Sequence, residues 1–238
     1  MIKPGINIYK GIQQIAGDLC DFLSKKSEIK NYTLALPGGN TPKSIFEIMS
    51  HNCQEKVNWG NLLFFWGDER CVGPNHEESN YRMAYHSLLE PLKIPSTSVH
   101  RIKGEDDPIY EADRYTVEIL KNVENRKGFA SFNLIILGMG DDGHTASIFP
   151  GQQNIINSTR VCDISIHPVT GQKRITLTFE IINHSEMIFF LITGKNKAKI
   201  ISEIIHKNGN WARYPASRVV PLTGSLCWLL DEEAASEL

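Results

Sequence analysis

Apolar residues in the first third of the chain follow two different spacings. Between residues 8 and 23 they recur at the roughly 3.6-residue spacing of an amphipathic helix; the positions are Ile8, Ile12, Ile15, Ala16, Leu19, Phe22 and Leu23. Tyr32–Leu36 is a short β-type run, and Leu62–Trp66 is a continuous apolar one, typical of a parallel strand covered on both faces. Between them, Thr41-Pro42 is predicted to begin a helix, because proline suits the first helical turn.

The same alternation continues to the end of the sequence. Helices are predicted at residues 80–89, 108–120 and 197–206, and strands at residues 132–137, 188–193, 219–220 and 226–230. Ile175, Leu177 and Phe179 alternate with polar neighbours, which predicts a strand with one polar face. The sequence contains no repeat, low-complexity segment or linker. We therefore expect one domain over residues 1–238, of α/β class, with a mostly parallel central sheet flanked by helices on both faces, as in Rossmann-type open sheets.

Composition narrows the functional classes. The 238 residues are 41% apolar and 22% charged, which excludes a disordered or collagen-like chain. A formal net charge of −2 provides no basic excess for nucleic acid, and no apolar run approaches the ~20 residues that span a bilayer. The N-terminus lacks a signal-peptide pattern, and the five cysteines are scattered without metal-ligand spacing. We expect a cytoplasmic protein with free thiols, no bound metal, and no nucleic-acid or membrane partner.

Glycine and polar residues follow four of the predicted strands. In parallel α/β sheets, ligands bind beyond the carboxyl ends of the strands, so these four segments are expected to share one edge. They are Gly38-Gly39-Asn40-Thr41, Gly67-Asp68-Glu69-Arg70, the segment from Gly138 to Thr145, and Gly194-Lys195. The sequence therefore predicts a small-molecule site at that edge.

Two of these segments are suited to an anion. Glycines let the backbone approach a phosphate, and the helix after Gly38 and Gly39 would present unpaired N–H groups. The alternative is a tight turn in which Thr41 caps its own helix. Arg70 suits multidentate recognition of phosphate or carboxylate, although Asp68, Glu69 and Arg70 can also be a surface charge cluster. Lys195 and Arg174 are further candidate cations, and Lys195 alone is equally typical of a solvated helix start.

The segment from Gly138 to Thr145 contains the best candidate for proton transfer. His144 can exchange a proton near neutral pH, and Asp142 lies two residues before it. The same segment matches GxGxxG, which raises the possibility of dinucleotide binding. Two observations argue against that interpretation. Asp141 and Asp142 would lie beside the pyrophosphate, and Pro150-Gly151 would stop the following helix. No GxSxG elbow is present, so activated water is a better hypothesis than a serine nucleophile.

Seven motifs in order resemble those of the bacterial 6-phosphogluconolactonases, within the wider glucosamine-6-phosphate deaminase and ribose-5-phosphate isomerase fold group. The seven motifs are Pro37–Pro42, Trp66–Arg70, Ser79–Tyr81, Leu137–Ser147, Arg174–Thr178, Gly194–Ala198 and Pro215–Arg218. The resemblance extends from about residue 10 to residue 230. The deaminases of this group have a sequence similar to GHIAFNEP at the histidine loop. Here Gly143–Pro150 is GHTASIFP, which fits the lactonase pattern GHTAS instead. Ile166–Lys173, before the Arg174 motif, departs from the proline-rich stretch usual in the family.

The resemblance implies hydrolysis of 6-phospho-D-glucono-1,5-lactone to 6-phosphogluconate in the oxidative pentose phosphate pathway. His144, supported by Asp142, would activate water, and loop amides around Gly138–Gly143 would stabilise the oxyanion. The implied phosphate and substrate contacts are Gly38, Gly39, Asn40, Thr41, Asp68, Arg70, Lys195 and Arg174. No cofactor is implied, and the assembly would be a monomer or a homodimer. A deaminase-type sugar-phosphate enzyme and a non-catalytic sugar-phosphate-binding protein are the alternatives.

Overall fold

A six-stranded sheet forms the centre of the protein. The computed structural model describes residue 3 and residues 5–238. The strands are β1 Gly5–Tyr9, β2 Tyr32–Leu36, β3 Leu62–Trp66, β4 Asp68–Arg70, β5 Glu124–Arg126, β6 Phe129–Ser131, β7 Leu134–Leu137, β8 Cys162–Ile166, β9 Lys173–Leu177, β10 Met187–Ile192 and β11 Ser225–Asp231. The helices are α1 Ile12–Lys26, α2 Asn40–Asn52, α3 Asn80–Ala84, α4 Pro108–Asn122, α5 Gln153–Ile156, α6 Phe179–His184 and α7 Ala198–His206.

The central sheet is parallel throughout. Its strand order is β1-β11-β10-β7-β2-β3, and each neighbouring pair runs in the same direction. All residues of β2 and β7 are buried, as expected for strands covered on both faces. Helices surround this sheet, so the predicted α/β class with a mostly parallel central sheet is confirmed.

Two predicted elements begin or end elsewhere than expected. Ile8 lies in the edge strand β1 rather than in the first helix, which begins only at Ile12. The strand predicted through residue 180 ends at Leu177, because the Thr178 side chain accepts a hydrogen bond from the Glu180 N–H and caps α6. Phe179 and Glu180 are therefore helical.

A second, antiparallel sheet lies outside the parallel one and was not predicted. It has the order β4-β9-β8, and β4 begins two residues after β3 ends. Leu177 N–H donates to the Gly67 carbonyl, which joins the end of β9 to the end of β3. This sheet therefore extends from the carboxyl edge of the parallel sheet and brings β9 next to the predicted site.

Several short segments and two cysteines also differ from the sequence prediction. Val219 and Val220 are not a strand; they follow a 3-10 turn at Pro215–Arg218. The helix predicted at residues 80–89 changes to a π-type turn from Tyr85 onward. Cys20 in α1 and Cys53 at the end of α2 form a disulfide because the two helices pack side by side. The expectation of free thiols is thus wrong for these two, whereas Cys71, Cys162 and Cys227 are free.

Among residues 3 and 5–238, no helix is long and apolar enough to cross a membrane. The same residues include no group of three or more histidine, cysteine, aspartate or glutamate side chains arranged to hold a metal ion.

Candidate active site

The four segments that follow β2, β3, β7 and β10 meet around one cavity. Its volume is about 270 Å³. All predicted site residues line it except Asp142 and Lys195; those present are Gly38, Gly39, Asn40, Thr41, Asp68, Arg70, His144 and Arg174. Asn80, Ala146, Thr193 and Lys197 also line it and were not predicted. The carboxyl edge of the parallel sheet is therefore where these groups converge.

His144 is held by Asp142. Oδ1 of Asp142 accepts hydrogen bonds from the His144 backbone N–H at 3.1 Å and lies 2.5 Å from His144 Nδ1. The imidazole is mostly covered, whereas the carboxylate is 46% exposed. Burial raises the pKa of Asp142, but the hydrogen bonds and positive charge of His144 outweigh it, so the net pKa lies below its ordinary value. An ionised Asp142 on Nδ1 leaves Nε2 of His144 as the nitrogen for proton transfer.

The loop that carries His144 depends on two glycines. Gly140 N–H donates to the His144 carbonyl at 2.9 Å, and Gly143 N–H donates to the Gly140 carbonyl at 3.0 Å. A Cβ at Gly140 would lie 2.2 Å from the His144 ring, and a Cβ at Gly143, where φ is +77°, would lie 2.5 Å from the Tyr214 ring. Only glycine fits both positions. The N–H groups of Gly140 and Gly143 are already used within the loop. These two amides are therefore not available to stabilise an oxyanion, contrary to the expectation from the sequence.

The N-terminus of α2 forms another wall of the cavity. Gly39 is the residue before the helix and has φ of +105°, which favours glycine. No side chain caps this helix end, so the N–H groups of its first turn remain available for an anion. Thr41 does not cap the helix; its hydroxyl lies 2.7 Å from the hydroxyl of Thr193.

Two arginines face each other on the antiparallel sheet. Arg70 of β4 is the register partner of Arg174 of β9, and like charges in this arrangement repel. Nε of each guanidinium is buried without a hydrogen-bond partner within the described residues. Burial, with the charge of Arg70, lowers the pKa of Arg174. Both side chains are half-buried, and each has one other hydrogen bond: Arg70 Nη1 donates to the Glu78 carbonyl, and Arg174 Nη1 donates to Ser147 Oγ at 3.4 Å. The two positive charges and the two unused Nε donors make this part of the cavity suited to a phosphate or carboxylate.

Three buried polar side chains connect the arginine sheet to the α2 loop. Asp68 accepts a hydrogen bond from Ser147 Oγ at 2.6 Å, and Asn80 Nδ2 donates to the Asp68 carbonyl at 2.9 Å. A Cβ at Gly38 would lie 1.9 Å from Asn80 Oδ1, so Gly38 is the residue that lets this network reach the loop. Asn80 and Ser147 belong to two of the motifs that carry the family resemblance, but the sequence assigned neither a role, because their contacts form only in the folded chain.

Glu69 is turned away from the cavity. It is 2% exposed and accepts four hydrogen bonds, from the N–H groups of Arg70, Asn80 and Tyr81 and from Ser79 Oγ. Burial raises its pKa, and these hydrogen bonds oppose the shift. Both acids are buried, so they are not part of a surface charge cluster: Asp68 lines the cavity, whereas Glu69 fixes the start of α3.

Lys197, rather than Lys195, is the lysine at the cavity. Lys195 is exposed at the start of a 3-10 turn, and Lys197 at its end lines the cavity wall. Nζ of Lys197 contacts Oδ1 of Asp141, and Asn196 Nδ2 donates to the same oxygen at 2.7 Å. These contacts tie the turn after β10 to the histidine loop.

Comparisons with known proteins place the chain in a family. The family model for glucosamine-6-phosphate isomerases/6-phosphogluconolactonase matches residues 10–228. The 6-phosphogluconolactonase of Treponema pallidum is 37% identical over 199 residues, which are 83% of each chain. A crystal structure of the devB protein superposes with a TM-score of 0.93 at 33% identity, covering 98% of this chain and 99% of that one. The 6-phosphogluconolactonase structure from Trypanosoma brucei gives a TM-score of 0.86 at 26% identity, covering 100% of both chains. The chain therefore belongs to the glucosamine-6-phosphate isomerase/6-phosphogluconolactonase family.

Proposed function

We propose that this protein hydrolyses 6-phospho-D-glucono-1,5-lactone to 6-phosphogluconate, a step of the oxidative pentose phosphate pathway. The observation that carries the proposal is a histidine–aspartate pair at a cavity that is also lined by two paired arginines, each with an unused Nε donor. Relatives that carry the lactonase name at high coverage support the same reaction.

Hydrolysis needs a base for water and an acid for the leaving oxygen. His144 Nε2 takes a proton from water as the water oxygen attacks the lactone carbonyl. The tetrahedral intermediate collapses by breaking the bond between the carbonyl carbon and the ring oxygen. The histidine then returns its proton to the ring oxygen, which leaves as the C5 hydroxyl. Asp142 keeps Nδ1 protonated and stabilises the imidazolium formed between these two steps.

The phosphate is the anion that the other half of the cavity is suited to bind. Arg70 and Arg174 supply the positive charge and the unused N–H donors, and the first turn of α2 supplies backbone N–H groups. Lys197 lines the same cavity, but its ammonium group is paired with Asp141. Binding a remote phosphate fixes the lactone carbonyl relative to His144, which converts binding energy into catalytic rate.

A substrate panel tests the reaction class. Freshly prepared 6-phosphogluconolactone is mixed with the protein, and the acid released on hydrolysis is followed with a pH indicator, a readout that serves both substrates, with spontaneous lactone opening subtracted. Gluconolactone without phosphate is the matched substrate. We expect a kcat/KM for the phosphorylated lactone at least about 100-fold higher, since charged phosphate contacts contribute roughly 1.5–3 kcal/mol each.

Ammonia release from glucosamine 6-phosphate is measured in parallel. Release of ammonia without lactone hydrolysis would replace the proposal with the deaminase alternative. Binding of 6-phosphogluconate without turnover of either substrate would favour the non-catalytic alternative.

A further inference from the structure

His167 lies beside the candidate active site but has no role in the mechanism above. It begins the turn that joins β8 to β9, in the segment Ile166–Lys173 that departs from the family pattern. The turn is closed by hydrogen bonds from His167 N–H to the Gln172 carbonyl and from Gly171 N–H to the His167 carbonyl, both 2.9 Å. Gln172 Nε2 also donates to Glu78 Oε2 at 2.9 Å, which anchors the turn to the segment next to Arg70. His167 is therefore held in a fixed position.

Backbone contacts determine which nitrogen of His167 carries the proton. Val169 and Thr170 donate their N–H groups to Nδ1 at 3.3 and 3.2 Å. A nitrogen that accepts hydrogen bonds has no proton, so the neutral ring carries its hydrogen on Nε2. Burial, with the nearby charge of Arg174, lowers the pKa of His167 and favours this neutral form. The side chain is thus a hydrogen-bond donor without charge.

The Phe149 ring lies between this donor and the site, next to the cavity lining formed by His144 and Arg174. The Phe149 ring is fully buried. Its centroid is 4.7 Å from that of the His144 ring, 5.1 Å from that of the His167 ring, and 5.5 Å from Cζ of Arg174. One phenyl ring therefore supports the proposed base, one of the paired arginines and His167. No hydrogen-bond acceptor for His167 Nε2 is found within residues 3 and 5–238.

We propose that His167 is a specificity-determining residue that donates its Nε2–H to an uncharged oxygen in the sugar part of the substrate. An uncharged donor suits a hydroxyl or carbonyl oxygen, whereas the arginine pair suits the phosphate. This inference rests on the proposed lactonase function. The alternative is purely structural: Nδ1 holds the turn and Nε2 contacts only water.

Two substitutions separate these roles because each keeps one nitrogen's function. His167→Asn places an amide oxygen where Nδ1 lies, so it preserves the turn and removes the Nε2 donor. His167→Gln places an amide N–H near Nε2, so it preserves the donor and removes the turn acceptor. Val169→Ala is the matched control, since Val169 lies in the same turn and is 86% exposed.

The measurements are KM and kcat for 6-phosphogluconolactone, the inhibition constant of inorganic phosphate, and the thermal midpoint. For His167→Asn we expect KM to rise roughly 3- to 10-fold with kcat little changed, as for loss of one neutral hydrogen bond made in both ground and transition states. His167→Gln and Val169→Ala should remain within about 2-fold of the unmodified protein in KM. The inhibition constant of phosphate should be the same in all variants.

An unchanged KM in His167→Asn together with impairment in His167→Gln would overturn the proposal in favour of the turn alone. Weaker phosphate inhibition in His167→Asn would overturn it in favour of a phosphate contact. If the unmodified protein does not hydrolyse the lactone, calorimetric titration with 6-phosphogluconate decides separately. Weaker binding by His167→Asn would support the donor role while the lactonase function fails, and equal binding by all variants would refute it.

Discussion

Asp142→Asn tests how the proposed base is supported. In this structure a single oxygen, Asp142 Oδ1, contacts both the backbone N–H and Nδ1 of His144. The amide oxygen of asparagine can occupy the same position and accept both hydrogens, so the proton stays on Nδ1. The variant then loses only the negative charge that stabilises the imidazolium. We therefore expect a modest loss of rate rather than inactivation.

The magnitude follows from the difference between charged and neutral hydrogen bonds. A charged partner contributes roughly 1.5–3 kcal/mol and a neutral one roughly 0.5–1.5 kcal/mol. Because the carboxylate is 46% exposed, solvent screening places the difference near the low end, at about 1 kcal/mol. That corresponds to roughly a 5-fold decrease in kcat. Asp142→Ala removes both contacts, and a loss of about 2 kcal/mol corresponds to roughly 30-fold.

The assay is steady-state lactone hydrolysis at pH 7 for the unmodified protein and the two variants, with circular dichroism to verify folding. The pKa of Asp142 is lowered from an already acidic value, so the carboxylate is fully ionised at this pH. Equal losses in Asp142→Asn and Asp142→Ala would refute the argument from the shared oxygen. Full activity in Asp142→Ala would remove Asp142 from the mechanism altogether.

Two further predictions concern the anion half of the cavity. Arg174→Met keeps an unbranched apolar side chain but removes the guanidinium, which lies over Phe149 and provides the donors. We expect kcat/KM to fall roughly 10- to 100-fold, mainly through KM, with Arg174→Lys intermediate because it keeps the charge without the planar fork; an unchanged KM would place the phosphate elsewhere. Gly38→Ala would put a methyl group 1.9 Å from the buried Asn80 side chain and should lower the free energy of unfolding by about 1–3 kcal/mol in urea titrations. Gly73→Ala is the control, since nothing lies within 4 Å of its added Cβ; equal stability of both variants would contradict the packing argument.

The strands that the sequence predicted best are those buried on both faces. Tyr32–Leu36 and Leu62–Trp66 have the same bounds in the structure as in the pattern, because burial on both faces favours apolar residues at nearly every position. The short strands β4 and β8 contain polar residues and are sustained by pairing with β9, which a local pattern cannot reveal. The prediction that Ile8 belongs to the first helix was wrong for a related reason. Ile8 lies in an exposed edge strand just before that helix, and its spacing from Ile12 looks like one more helical turn.

The candidate site was predictable where local motifs carry it. Strand order brings the Gly38 and His144 loops together, and this follows from the parallel α/β class. The choice between Lys195 and Lys197 did not follow, because a single 3-10 turn decides which lysine faces the cavity. The facing of Arg70 and Arg174 depends on the register of an unpredicted sheet. Sequence spacing thus locates the loops, whereas pairing between distant segments determines which side chains meet.

Hydrolysis of freshly generated 6-phosphogluconolactone by His144→Ala tests the central claim most directly. His206→Ala is the control, because His206 is an exposed histidine on α7 whose Nδ1 lies within hydrogen-bond distance of Ser202. We predict that the His144 variant folds with an unchanged circular dichroism spectrum and loses at least about 100-fold in kcat, as expected for removal of a general base, while the control retains full activity. A His144→Ala variant that hydrolyses the lactone as fast as the control would contradict the proposed mechanism.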